Sequence, residues 1–95
     1  MSAYVVFLVD EITSQEKLNE YQQKARPTVE QAGGKIVVAY GRQRIVEGDP
    51  LLGVVMVEFP TYEAAEDWYD SSSYQEAAAL RHRGVRCRVV IVEGR

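Results

Sequence analysis

Three short segments of the sequence are apolar at nearly every position, and they constrain the fold more than any other feature. They are YVVFLV from Tyr4, LGVVMV from Leu52 and VVIV from Val89. Their β-branched and aromatic residues indicate strands. A sheet with one face in water alternates apolar and polar residues along each strand. Because these strands do not alternate, we expect both faces of the sheet to be covered.

Helix and turn signals separate the apolar segments. The first predicted helix has an apolar face with spacings of three and four residues, formed by Leu18, Tyr21, Ala25, Val29 and Ala32. We expect the capping box Thr13–Glu16 to start this helix, Pro27 to kink it and Gly33-Gly34 to end it in a left-handed turn. KIVVAY, from Lys35 to Tyr40, is the second predicted strand.

The second half of the chain repeats the pattern of strand and helix. A short strand is expected at Arg44–Glu47, and the third long strand runs over Leu52–Phe59, where a proline stops it. Hydroxyl N-caps start two helices, at Thr61–Asp70 and Ser73–His82. The last strand is predicted at Val85–Glu93.

The resulting order is β-α-β-β-α-β, the ferredoxin-like pattern of the α+β class. It predicts a single domain over residues 1–95, with a four-stranded antiparallel sheet and helices on one face. The other face would expose a large apolar patch. A second copy of the chain, packed face to face about a two-fold axis, would bury this patch without any further element. We therefore expect a homodimer whose two sheets form one barrel-like core.

Composition excludes several classes of function. The net charge is −3 and the isoelectric point is near 5.1, which argues against nucleic acid as a partner. No apolar run approaches the roughly 20 residues that span a bilayer, and the N-terminus lacks the basic region of a signal peptide. One cysteine excludes an internal disulfide. We expect a cytoplasmic protein that does not bind membranes.

Charge is distributed unevenly near the C-terminus. Residues 58–76 contain six acids and no base, and residues 81–88 contain four arginines and a histidine but no acid. Such blocks are usually solvated surfaces. The alternative is a basic rim that holds an anion or meets the acidic block of another subunit.

The long segments AYVVFLVDEITSQEKLNEYQQKARPTVEQAGGKIVVAYGRQRIVEGD and VVMVEFPTYEAAEDWYDSSSYQEAAALR resemble the domain-of-unknown-function 1330 family. The most specific matches are GG at Gly33-Gly34, EG at Glu47-Gly48, EFP at Glu58–Pro60 and A..WY.S..Y at Ala65–Tyr74. The family comprises small bacterial proteins of the dimeric α+β barrel superfamily. The resemblance implies a homodimer with that fold. The superfamily also includes cofactor-free monooxygenases, lactone isomerases and haem-using enzymes, a kinship at the level of fold only.

Aromatic residues and one arginine form the predicted binding site. Trp68, Tyr69 and Tyr74 would either fill the core or wall a planar ligand. Arg81 would clamp a carboxylate or enolate, or else pair with Glu58 or Glu47. Three more candidates for the same site are Glu47, Tyr40 and Tyr4.

Candidate proton-transfer groups are few. His82 is the only side chain expected to titrate near neutrality, although neighbouring arginines should disfavour its protonation. Glu58 is the second catalytic candidate. Cys87 should point away from Arg86 and Arg88 on the last strand, into the core. One histidine and one cysteine cannot build a His/Cys metal site, so neither a metal nor a cofactor is expected.

Two functions remain open from the sequence. The first is a homodimer that binds a small aromatic or anionic metabolite between sheet and helices, with monooxygenase- or isomerase-like chemistry if it is an enzyme. The alternative is a non-catalytic structural or regulatory dimer. RNA recognition motifs share the element order, but their basic-Gly-aromatic strand motif has no match in LGVVMVEF.

Overall fold

The computed structural model describes residues 1–95 and contains seven elements. They are β1 (Ala3–Ile12), α1 (Gln15–Gln31), β2 (Lys35–Ala39), β3 (Gly53–Phe59), α2 (Tyr62–Asp70), α3 (Ser72–His82) and β4 (Val85–Glu93). The predicted ferredoxin-like order is confirmed, and the second helical region is divided into α2 and α3 as expected. None of the three helices has the length and apolar character that crossing a membrane requires.

The four strands form one antiparallel sheet in the order β2-β3-β1-β4. The long strand β1 lies inside the sheet, where Val5 pairs with Val57 of β3 and with Ile91 of β4. All three helices pack on one side of the sheet, here called the covered face. Its buried residues on β1 and β3 share one core with the helices: Ala3, Val5, Phe7, Val57, Phe59, Ala25, Val29, Ala65, Trp68, Tyr74, Ala77 and Ala78.

The other side of the sheet, here called the open face, carries no helix. It is formed by Tyr4, Val6, Leu8, Lys35, Val38, Val54, Met56, Glu58, Arg88, Val90 and Val92. Val6 lies between Met56 and Val90 in the strand register, and Val90 is 50% exposed. Seven of these eleven residues are aliphatic, and the charged ones, Lys35, Glu58 and Arg88, lie toward its margins in the register. The absence of alternation in the sequence thus corresponds to an uncovered apolar surface.

Two helix starts differ from the predicted ones. Ser14, not Thr13, caps α1, because its Oγ accepts from the backbone N–H of Lys17 at 3.2 Å. Ser71, not Ser73, caps α3 and accepts from the N–H of Tyr74 at 3.3 Å. The predicted cap Thr61 is confirmed. At α1 and α3, a hydroxyl residue near the predicted one satisfies the same N-cap preference.

The connections also differ in part from the expectation. The short strand at Arg44–Glu47 was wrong, since the chain from Gly41 to Leu51 contains no strand and leaves residues 41–50 exposed. Pro27 lies inside α1, which continues to Gln31. Gly33 has φ +77°, which confirms the left-handed helix end.

Candidate functional site

A cavity lies between the covered face of the sheet and the helices, and it is here called the inner cavity. Its volume is about 240 Å³, and 14 of its 17 lining residues are hydrophobic. The inner end is closed by buried residues that include Phe7, Trp68 and Arg81. The exposed lining residues all lie on α1 and on or just after β2, so the cavity opens between these two elements: Arg26, Ile36, Ala39 and Tyr40.

Arg81 is the charged group at the inner end of the cavity. It projects from α3, and only 4% of the residue is exposed. Its Nη1 donates to Cys87 Sγ at 3.1 Å, and its Nη2 lies 3.3 Å from His82 Nε2. The buried Nε has no partner. The guanidinium carbon lies 5.6 Å from the ring centre of Phe7, within the range of cation–π attraction.

No carboxylate pairs with Arg81. The ion pairs of the chain join Lys17 to Glu20, Arg86 to Glu11 and Arg88 to Asp10. The predicted alternative, an ion pair of Arg81 with Glu58 or Glu47, was therefore wrong. The pairs made by Arg86 and Arg88 also place half of the arginines of the basic block beside acids of the same chain.

Arg81 stays cationic despite its burial. Burial lowers the pKa of the guanidinium, but the side chains of Tyr74, Cys87 and Tyr21 outweigh this effect and place the pKa above its ordinary value. A buried cation without a paired anion is costly. The site therefore holds a positive charge that two aromatic rings, a thiol and an imidazole only partly compensate.

The predicted aromatic cluster divides between cavity wall and core. Trp68 lines the inner cavity, and its Nε1–H donates to Thr28 Oγ1 at 3.0 Å. Tyr74 is fully buried behind it, with ring centres 4.1 Å apart, and does not line the cavity. Tyr69 packs against both rings and borders a different surface groove.

Tyr21 belongs to the cavity wall, although the sequence indicated only that it faces the core. Its hydroxyl lies 2.9 Å from that of Tyr74. Burial, with Tyr74 adding to it, raises the pKa of Tyr21 strongly; burial also raises the pKa of Tyr74 against the opposing charge of Arg81. Both hydroxyls are therefore protonated at neutral pH. The sequence contained one signal for this position: Tyr21 carries a polar tip on the otherwise aliphatic face predicted for α1, and such a tip needs a hydrogen-bond partner when it is buried.

Tyr40 stands at the cavity mouth in a strained backbone conformation. Its φ is +54°, an outlier for a bulky residue. Its ring occupies the space where a Cβ on Gly53 would stand, because that atom would lie 2.4 Å from the ring. The absence of a side chain on Gly53 thus lets the tyrosine ring pack closely against β3 beside the opening.

The remaining predicted residues lie away from the inner cavity. Tyr4 and Glu58 are on the open face, where the Tyr4 hydroxyl lies 3.4 Å from Glu58 Oε2. Glu47 is in the exposed loop. The structure therefore brings Arg81, Trp68 and Tyr40 together around one cavity. Tyr4, Glu47 and Glu58 lie outside it.

His82 reaches Arg81 from outside the cavity. It borders a shallow outer groove of about 430 Å³, together with Tyr69, Arg81, Val85, Arg86, Cys87 and Val89. Burial and the charge of Arg81 lower the pKa of His82, the direction predicted from its arginine neighbours. Neutral His82 can accept a hydrogen bond from Arg81 Nη2. No group of three His, Cys, Asp or Glu side chains is placed to hold a metal ion.

The contact between Arg81 and His82 gives a first testable prediction. The imidazole should titrate below the usual value of about 6.5, and Arg81→Met should raise its pKa toward that value. Because the unfolded chain binds the proton more readily, His82 makes the wild type less stable as the pH falls through 6.5. NMR titration of the single histidine measures the shift. Arg83→Met, one residue beyond, is the control and should change the pKa far less; an unchanged pKa in Arg81→Met would contradict the contact.

The fold and the cavity together define a ferredoxin-like α+β protein with an apolar cavity closed by a buried cation. The chain belongs to the family described as a domain of unknown function (DUF1330), whose sequence profile matches residues 2–95. The resemblance noted in the sequence is thereby confirmed. Among curated proteins, none matches the chain significantly.

Solved structures share the fold at low sequence identity. A protein of unknown function from Rhodopseudomonas palustris superposes with a TM-score of 0.76 at 20% identity, covering 99% of this chain and 82% of that one. A dimeric ferredoxin-like protein of unknown function from Jannaschia sp. CCS1 has a TM-score of 0.68 at 11% identity, covering 99% and 100%. A variant of SnoaB, a cofactor-independent oxygenase from Streptomyces nogalater, superposes with a TM-score of 0.67 at 12% sequence identity. That match covers 99% of this chain and 92% of the SnoaB chain. These similarities show the fold alone.

Proposed function

We propose that the protein is a homodimer that binds a small aromatic or anionic metabolite in the inner cavity. The observation that carries this proposal is Arg81, a buried cation that faces an apolar cavity without a carboxylate partner. Proteins almost always pair a buried charge. A ligand anion would supply the partner that the chain itself does not.

The hydrogen-bonding capacity of Arg81 supports this role. A guanidinium has five N–H donors, and two of its nitrogens each contact one partner, the Cys87 sulfur and the His82 ring nitrogen. A thiol sulfur is a weak acceptor. The N–H donors of Nη1 and Nη2 that these two contacts leave unused are available to form charge-assisted bonds with a carboxylate or enolate oxygen.

The size and walls of the cavity suit a single ring. Its volume of about 240 Å³ exceeds the roughly 150 Å³ of an engineered apolar cavity that binds benzene. Trp68 and Phe7 provide aromatic surface beside Arg81. A planar ligand could therefore stack on the wall while its acidic group contacts the guanidinium.

The open face supports the homodimer. Its aliphatic residues form a continuous surface across three strands, and soluble monomers rarely expose such patches. The Jannaschia protein with the same fold is described as dimeric. Packing of two open faces about a two-fold axis would leave both cavity mouths free, because they lie on the opposite side of the sheet.

Chemistry at this site would resemble that of a cofactor-independent oxygenase more than acid–base catalysis. SnoaB, with the same fold, is such an oxygenase. Neither catalytic candidate lines the cavity, since Glu58 is on the open face and His82 is in the outer groove. Arg81 would instead favour the anionic form of an acidic ligand. The non-catalytic dimer is the outcome expected if no ligand binds.

The single tryptophan provides the test, because Trp68 lines the cavity. We expect benzoate to quench its fluorescence saturably, and Arg81→Met to weaken this binding about tenfold, as expected for loss of a partly buried charge-assisted bond. Arg83→Met, on the same helix end but outside the cavity, should bind as the wild type does. If no aromatic probe, charged or neutral, gives saturable quenching, the binding proposal is wrong and the structural dimer stands.

A further inference from the structure

The inner cavity carries positive charge at both ends. Arg81 closes the inner end, and Arg26, on the exposed side of α1, borders the mouth. These are the only charged residues among the 17 that line the cavity. Arg26, like Arg81, forms no ion pair within the chain. The wall between them is almost entirely hydrophobic.

We infer that the ligand is a small dianion with an apolar, ring-sized body and an acidic group at each end. The inner acid would contact Arg81 and the outer acid Arg26. This inference rests on the proposed function, because it concerns the same cavity, and it adds the charge and orientation of the ligand. In a protein of net charge −3, a cavity lined by two cations and no acid favours anions over neutral molecules of the same shape.

The lining also favours a ligand that is ionised before it enters. No carboxylate and no imidazole faces the inner cavity, so the usual general bases are missing from its wall. A neutral ligand that has to lose a proton inside would find no ordinary acceptor. Carboxylic acids and strongly acidic enols or phenols meet the requirement at neutral pH, whereas alcohols and simple amides do not.

The two arginines differ in burial, and this sets the orientation. Arg81 is 4% exposed, so its contact with an anion is shielded from water and salt. Arg26 is exposed, so its contact is weaker and screened by salt. A ligand with one acidic group should therefore place that group at Arg81, and only a second acidic group should reach Arg26.

Three probes of one shape test the inference: terephthalate with two charges, benzoate with one, and benzamide with none. Fluorescence of Trp68 reports binding of each. We expect affinity to fall in that order, about 3- to 10-fold between terephthalate and benzoate at low salt. Arg26→Met should lower terephthalate affinity about 3- to 10-fold and benzoate affinity far less, because benzoate places its only acidic group at Arg81. Lys24→Met, which removes an exposed charge of α1 outside the cavity, should change neither.

The possible results separate this inference from the proposed function. Equal affinity for benzoate and terephthalate would overturn the dianion and leave cavity binding intact. A loss of benzoate binding in Arg26→Met, with none in Arg81→Lys or Arg81→Met, would overturn the orientation. Absence of saturable quenching by all three probes would overturn both. Arg81→Lys keeps the charge and provides the comparison if the methionine variant does not fold, which circular dichroism shows directly.

Discussion

Replacing Trp68 by alanine should lower the free energy of unfolding by about 3–5 kcal/mol. The indole is 3% exposed and packs against Phe59 and Tyr74, with ring centres 5.2 Å and 4.1 Å away. Its Nε1–H donates to Thr28 Oγ1, which in turn donates to the carbonyl of Ala25 at 2.6 Å. One side chain thus joins α2 to α1 and fills the centre of the core.

This decrease would be a large part of the total free energy of unfolding, which is about 5–15 kcal/mol for small domains. Urea unfolding followed by circular dichroism measures it. Trp68→Phe keeps an aromatic ring but leaves Thr28 without its donor, so it should cost less than the alanine variant. Glu66→Ala, exposed on the same helix, is the matched control and should change stability by under about 0.5 kcal/mol. A loss below about 1 kcal/mol in Trp68→Ala would contradict its central role.

The second large effect concerns assembly. Val90 lies on the open face beside Val6 and is 50% exposed in the single chain, so Val90→Lys should fold normally. In the proposed homodimer the same position is buried against the partner. Burying an unpaired lysine in this apolar interface should weaken dimerisation about 100-fold or more, because the charge would be removed from water without a partner.

Sedimentation equilibrium measures this change directly. We expect a dimer for the wild type and a monomer for Val90→Lys at micromolar concentration. Ala79→Lys, an exposed position on α3, adds the same charge on the helical side and should remain dimeric. A monomeric wild type, or a dimeric Val90→Lys, would show that the open face does not mediate assembly.

Strand positions could be predicted because their signal is local and strong. The apolar runs located all four strands, and β4 was predicted with the bounds Val85–Glu93 that the structure shows. The helix caps were less certain because adjacent hydroxyls compete. Tertiary contacts distinguish them at α1, where the backbone N–H groups of Thr13 and Ser14 both donate to Gly84 O. That contact fixes the chain entering the helix and cannot be read from the sequence.

The candidate site was predicted in part, for a similar reason. Arg81 and Trp68 were named from their residue types, and the structure places both on one cavity. Glu58 was proposed as a partner of Arg81, yet it alternates with the buried Val57 and Phe59 and so points to the open face. Tyr21 was assigned to the core because periodicity identifies the side of a helix but not whether the space beside it is empty.

The alternation along β1 divides its residues between two surfaces with different roles. Val5 and Phe7 belong to the covered face, and Val6 and Leu8 to the open face. Shifting the strand by a single residue would exchange the two sets. Insertion or deletion of one codon within this strand would therefore damage the core and the open face at once. In evolutionary terms, β1 can change by substitution but hardly by length.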